Sequence, residues 1–468
     1  MAAAFLQSKK QNFLWFEGGI DESSKLEHPA SSGQSMPESV WMPTELFFGS
    51  DQKPYAIPLS TGGMSAHYVG NQYWFQEDTM ESSSIDGPDI EALDFVRNVT
   101  NARVRCDVFD PRYHSHARHP TNPAPGYESE YSSLNMCMYG HCVDEDSCKI
   151  NLWYATTLGL ANPELVQGWR RGSAYTEYKH LAPSGGPFLG HRALNLRMNG
   201  TRVEGVYLHR VSTGDTVLAC ARRAVILAAG VMGNAPILLD TPGLVDTIPF
   251  FAQPVSVYMD FAILSGQQVC DAATISGGTF HRVRQNASGF LSTLAICEVN
   301  GAPRIVWATP QAVSPRVRGN ITKGDTTRPT AILNLDDPQI LQELRDDVAA
   351  AALDLFNITN FQLGGQFEYP AFHWTGDATL VRDSRLLGTD NLFIGDAMAV
   401  TGMTYGWTSF NARVAGALAA LRAIKYDSTP CSYTKSRYIH HNCCDSFQDT
   451  YCSILKNDYK STSCCPNS

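Results

Sequence analysis

What this 468-residue chain lacks narrows its function before any motif is read. It has no run of roughly 18 apolar residues, so no membrane-spanning helix is expected. Its most apolar stretch, residues 224–239, is broken by Gly230, Gly233, Asn234 and Pro236. It has no excess of basic residues: 36 Lys and Arg against 46 Asp and Glu leave a net charge of −10. A surface of that sign neither neutralises nucleic-acid phosphates nor docks on anionic lipid. It suits a neutral or cationic small substrate without selecting one. No internal repeat is present, and no signal-peptide pattern opens the sequence as given. Hydrophobic residues at 43% and charged residues at 18% are ordinary for a soluble globular protein with a large core. The length exceeds one small domain and suggests two interleaved ones.

Cysteine is not scarce. Thirteen are present, six of them between Cys431 and Cys465. Five glycosylation sequons begin at Asn98, Asn199, Asn286, Asn320 and Asn357. Together they point to an oxidising compartment and the secretory route, with a leader expected upstream. The tail reads as a small disulfide-stapled appendage. A metal site at His440, His441 and Cys443 is its alternative. Cys137, Cys142 and Cys148 have four and five residues between them. Zinc sites usually use two tight pairs, so a disulfide is favoured there over a metal held with His141.

Hydrophobic patterning gives a coarse order of elements. Residues 1–19 read as the end of a helix, a short turn, then a strand over 12–16 closing on Glu17 and two glycines. A polar, Pro- and Ser-rich stretch fills 21–60, and 80–131 is rich in turn residues. From Arg192 the alternation predicts a meander, with turns at Asn199-Gly200 and Gly214-Asp215. It ends in a buried strand over 224–228, and Gly230 opens a helix. Further strands lie within 242–373, with an acidic helical segment at 337–356. A short strand at 391–394 and an Ala-rich buried helix at 411–424 follow.

Four constellations carry chemistry. A strand ending in an acid and glycine, as at Glu17, is where a Rossmann fold holds dinucleotide ribose hydroxyls. The phosphate-binding turn belongs about 20 residues earlier. Met1 already falls inside the helix that follows such a turn, so the turn is expected upstream of the given sequence. The strand, Ala-Ala-Gly and helix of 224–239 bring backbone close to a nucleotide. In TGGMSAHYVGNQYW, residues 61–74, two glycines and a small residue let backbone lie on a flat ring, with His67 just beyond. Residues 372–420 hold His-x-x-Gly from His373 and Asp-Ser-Arg-x-x-Gly-x-x-Asn-Leu-Phe from Asp383. Gly395-Asp396 and Tyr405-Gly406 follow before the last helix.

In this order the motifs resemble the glucose-methanol-choline family of FAD-dependent oxidoreductases. The resemblance spans 1–19, 60–74, 149–239 and 372–424, under half of the chain. Gly-Gly-Met-Ser-x-His resembles the pyranose oxidase branch in particular. The resemblance implies an α/β fold. A Rossmann-like FAD-binding domain, truncated at its N-terminus, would interleave with an α+β substrate domain built on an antiparallel sheet. FAD-binding parts would be 1–79, 191–245 and 373–426; substrate or cap parts 80–190 and 246–372; and 427–468 the Cys-rich tail.

It further implies FAD held by Glu17, Gly62, Gly63, Ser65, His67, Ala229, Gly230, Asp396 and Ala397. Asp396 would take the ribitol, and His67 is the candidate for a covalent flavin link. His373 matches the general base, which removes a hydroxyl proton while flavin takes the hydride from the same carbon. The family's His or Asn after Tyr-Gly is Thr408 here. Threonine can donate a hydrogen bond to the substrate oxygen but cannot act as a base. The implied substrate is an alcohol or sugar, with oxygen or a quinone as electron acceptor. A non-catalytic secreted binding protein on the same fold is the alternative, suggested by Thr408 and by the missing phosphate loop.

Overall fold

A computed structural model describes residues 1–21, 44–48, 54–58, 61–63, 71–74, 89–101, 104–105, 135–142, 169–171, 175, 186–259, 279–285, 290–299, 302–312, 317–323, 330–333, 342–343, 345–350, 353, 366–401 and 409–426. The chain opens with helix α1 (Ala2–Ser8), which buries Ala4 and Phe5. Strand β1 (Thr44–Phe48) pairs antiparallel with β2 (Pro54–Pro58). Next, β3 (Asn71–Trp74), β4 (Val104–Arg105) and β5 (Asn135–Cys142) form a sheet in the order β3-β5-β4. Strand β6 (Trp169–Arg171) joins β5, and α2 (Ile90–Asn101) precedes β4.

The predicted meander is β7 (His191–Asn199), β8 (Arg202–Arg210) and β9 (Thr216–Cys220). Its first turn is shifted by one residue from the expected Asn199-Gly200. Asn199 pairs with Arg202, so Gly200 and Thr201 form the loop. Gly200 takes φ 60°, a positive value that a two-residue hairpin needs and threonine resists. Gly214 lies in the second turn at φ 77°.

Strand β10 (Val225–Leu227) then runs into α3 (Gly230–Leu239), which opens at the expected glycine. A seven-stranded sheet follows. It comprises β11 (Thr247–Met259), β12 (Thr279–Gln285), β13 (Phe290–Val299), β14 (Ala302–Ala312), β15 (Val317–Thr322), β16 (Thr330–Leu333) and β17 (Gln366–Gly376). All its pairings are antiparallel, as expected for the second domain's sheet. The acidic segment is helical at 342–343, 345–350 and 353. The chain returns through β18 (Val381–Arg382), β19 (Arg385–Leu386) and β20 (Leu392–Ile394), which lies parallel beside β10. The last described element is α4 (Ser409–Tyr426).

One expected strand does not form. Residues 12–16 make a single parallel bridge, Phe16 to Phe188. Beyond it the two segments meet through the turn, where the Gly190 N–H donates to the Gly19 carbonyl and the His191 N–H to the Glu17 carbonyl. Helix α4 is buried nearly all round, through Val414, Ala415, Ala417, Leu418, Ala419, Ala420, Leu421 and Ala423. Small residues let it lie close to β20 on one side and to α1 and α2 on the other. A Cβ on Gly416 would come within 3.1 Å of the Gly395 carbonyl oxygen. Among the described residues no helix is long and apolar enough to cross a membrane.

Candidate functional site

Strands β10 and β20 end side by side. The Gly395 N–H donates to the Leu227 carbonyl at 2.7 Å, the last rung before both chains turn off. Asp396 then caps a short 3-10 turn, Ala397–Ala399, by accepting the Met398 N–H on Oδ1 at 2.8 Å. Its other oxygen, Oδ2, accepts the Gly230 N–H at 2.7 Å and the Asn234 side-chain amide at 2.8 Å. The Asn234 side-chain oxygen Oδ1 in turn accepts the Ala229 N–H at 3.1 Å. One carboxylate thus ties the end of β20 to the start of α3.

Asp396 is 9% exposed. Desolvation pushes its pKa up to about 6, against the lowering effect of the Met398 and Gly230 N–H groups and Asn234. A carboxylate offers about four lone-pair positions, and three are used here, which leaves one for a ligand hydroxyl. Ala228 and Ala229 are exposed, and Gly230 is half-buried at φ 76°. The carboxyl ends of parallel strands are where open α/β sheets bind ligands. Asn234 was not among the residues singled out for the site. A side chain capable of hydrogen bonding inside an otherwise apolar helix was its signal.

The Glu17 turn forms a second group. Glu17 is half-buried, and burial raises its pKa, opposed by the N–H groups of Gly19 and Gly18. Its Oε1 accepts the Gly19 N–H at 3.0 Å, so the carboxylate caps its own turn. Its backbone is fixed on both sides, with its N–H on the Phe188 carbonyl at 3.0 Å and its carbonyl accepting the His191 N–H at 2.9 Å. The Thr61 N–H donates to the Ile20 carbonyl at 3.1 Å, and the Thr61 hydroxyl to Asp21 at 3.3 Å. These contacts carry Gly62 and Gly63, at φ 90° and 53°, to the Glu17 turn across the intervening sequence. Asp21 also accepts the Tyr175 hydroxyl. Burial and the Asp21 charge hold that phenol above its usual range. Ser65 and His67 lie outside the described residues.

His373 lies on β17, where the register with β11 shifts. Phe372 pairs with Gln253 and Thr375 with Phe251, so His373 and Trp374 together oppose Ala252. This is a β-bulge, a device that re-aims a side chain and recurs beside active sites. Three residues on, the Gly376 N–H donates to the Val400 carbonyl at 3.0 Å, and Gly376 bridges to Thr401. The end of the His373 strand is thereby bonded to the turn that Asp396 caps. Trp374 stacks on Phe250, with ring centroids 4.8 Å apart. The His373 side chain and Thr408 lie outside the described structure.

No family model and no curated protein matches the chain. Solved structures do. Pyridoxine 4-oxidase from Mesorbium loti superposes with a TM-score of 0.59 at 13% identity, covering 92% of this chain and 97% of that one. An Aspergillus oryzae formate oxidase variant, studied for its FAD modification, gives 0.56 at 12% identity, with 91% and 96% covered. A further formate oxidase structure gives 0.54 at 13% identity over the same shares of the two chains, 91% and 96%. The chain has the fold of these oxidases. They are glucose-methanol-choline flavoenzymes, the family that the sequence motifs resemble. Identity this low speaks for the fold, with mixed helices and antiparallel sheets, and leaves the chemistry to the residues.

Proposed function

We propose that the chain is an FAD-dependent oxidoreductase that oxidises a CH–OH group of an alcohol or sugar. The observation that carries this reading is the bulge at His373. It lies on a strand whose end is hydrogen-bonded to the Asp396 turn, at the carboxyl ends of β10 and β20. The names of the fold neighbours, a pyridoxine oxidase and a formate oxidase, support flavin chemistry and oxygen as the acceptor.

The residues present fit the cofactor. The free lone-pair position of Asp396 suits a ribitol hydroxyl, and the exposed Ala229 with the half-buried Gly230 and Ala397 suits close approach of backbone. The Glu17 carboxylate suits the ribose hydroxyls. Gly62 and Gly63, with Ser65, would lie against the ring, and His67 would carry the covalent link. When bound, FAD supplies the hydride acceptor. His373 takes the substrate's hydroxyl proton, and Thr408 donates a hydrogen bond to the substrate oxygen. We place the FAD-binding parts at 1–79, 191–245 and 373–426, with 80–190 and 246–372 forming the substrate side. The sequons and the cysteine-rich tail at 427–468 support glycosylation, disulfides and the secretory route.

The test is an absorbance spectrum of the purified protein before and after acid precipitation. Flavin bands that stay with the pellet are expected. Flavin released to the supernatant keeps the enzyme and removes the His67 link. A protein that neither copurifies with flavin nor takes up added FAD overturns the reading. In the active enzyme, His373→Asn is expected to lower kcat about a hundredfold with flavin content unchanged.

A further inference from the structure

We propose that His191 is a ligand to the adenosine half of the dinucleotide, accepting at Nε2 a hydrogen bond from a nucleoside N–H or O–H group. This assignment rests on the FAD reading above and deepens it. The ring's Nδ1 is 2.8 Å from the Leu189 carbonyl oxygen. A carbonyl only accepts, so Nδ1 carries the proton, and in the neutral ring Nε2 is the acceptor. Nε2 is buried and has no hydrogen-bond partner among the described residues. Native proteins rarely leave such an atom unsatisfied without a reason.

Phe16 and Phe188 stack on each other, 5.3 Å between centroids, and flank the His191 ring at 5.8 and 6.1 Å. The His191 backbone N–H is bonded to the Glu17 carbonyl at 2.9 Å. The residue that carries the unsatisfied acceptor is therefore bonded through its backbone to the residue whose type and place suit a ribose. Of the groups on adenosine, the adenine amine and the ribose hydroxyls are donors.

The test titrates the full chain, freed of flavin in a His67→Ala background that removes the proposed link, with ADP, inosine diphosphate and FMN by calorimetry, for His191, taken as wild type, His191→Phe and His191→Gln. Phenylalanine keeps the aromatic packing and removes the acceptor; glutamine keeps an acceptor. ADP affinity is expected to fall about tenfold in His191→Phe, equivalent to about 1.4 kcal/mol. FMN, which has no adenosine, is expected to bind unchanged, and His191→Gln to recover part of the loss. Inosine diphosphate has a carbonyl in place of the amine. If His191→Phe weakens it as much as ADP, the donor is a ribose hydroxyl; if not, it is the amine. Equal ADP affinity in wild type and His191→Phe overturns the assignment alone. Equal weakening toward FMN marks a merely structural role and overturns it too. A wild-type chain that binds neither ADP nor FAD overturns both the assignment and the flavin reading.

Discussion

Gly376→Ala is expected to be the most damaging single-methyl substitution in the described structure. A Cβ at this position would overlap the Met398 carbonyl oxygen and lie 2.7 Å from the Met398 carbonyl carbon. Both atoms are backbone, in a turn fixed by the Asp396 side chain, so neither can rotate away as a side chain would. Relief requires separating β17 from the turn, which breaks the Gly376-to-Val400 hydrogen bond and the bridge to Thr401. We expect a loss of about 4 kcal/mol or more, in the range that marks a specific backbone or core lesion. The urea midpoint measures it. Gly395→Ala is the internal comparison: its Cβ would meet the Ile226 Cγ2 at 2.9 Å, a side-chain methyl that can shift. It should cost about 1–3 kcal/mol as ordinary overpacking. If Gly376→Ala were as mild as Gly395→Ala, β17 would not be locked to the Asp396 turn, and the placement of His373 beside it would fail.

Gly376 also shows what the sequence could and could not convey. The spacing His-x-x-Gly was legible as a motif, but its reason was not. The glycine is required because a turn more than twenty residues later passes against its Cα. Elements set by local patterning were readable: the meander, β10 with the glycine opening of α3, β20 and the Ala-rich α4. Those set by distant partners were not. Residues 12–16 have a strand's alternation, yet among the described residues they pair at one rung alone, Phe16 with Phe188. Asn234 read as an interruption of an apolar stretch, because its purpose depends on Asp396, 162 residues away. The role expected of Asp396 as a ribitol ligand described only one lone-pair position. The other three hold the protein together, which no pattern around Gly395-Asp396 signals.

That division of labour makes Asp396→Ala the second large effect. Removing the carboxylate strands three donors in a buried setting: the Gly230 N–H, the Asn234 amide and the Met398 N–H. Each unsatisfied donor costs about 1–3 kcal/mol, and neighbours do not add fully. A loss of about 4 kcal/mol is expected, together with loss of bound flavin. Asp396→Asn keeps the shape and removes the titration, although its NH2 must face one of the three donors. The pKa of Asp396 rises from 3.8 to about 6 on folding, chiefly through desolvation. The folded state therefore holds the proton more tightly than the unfolded state. The stability this contributes is fully present below about pH 3.8 and is lost as pH rises through about 6. The shift corresponds to roughly 3 kcal/mol. Urea unfolding of wild type and Asp396→Asn across this window should show the wild type losing ground to the variant as pH rises, then running parallel above pH 7. Parallel curves throughout would mean that Asp396 binds its proton equally tightly in the folded and unfolded states. Hydrogen bonding to its carboxylate would then offset burial, which would exert no net penalty.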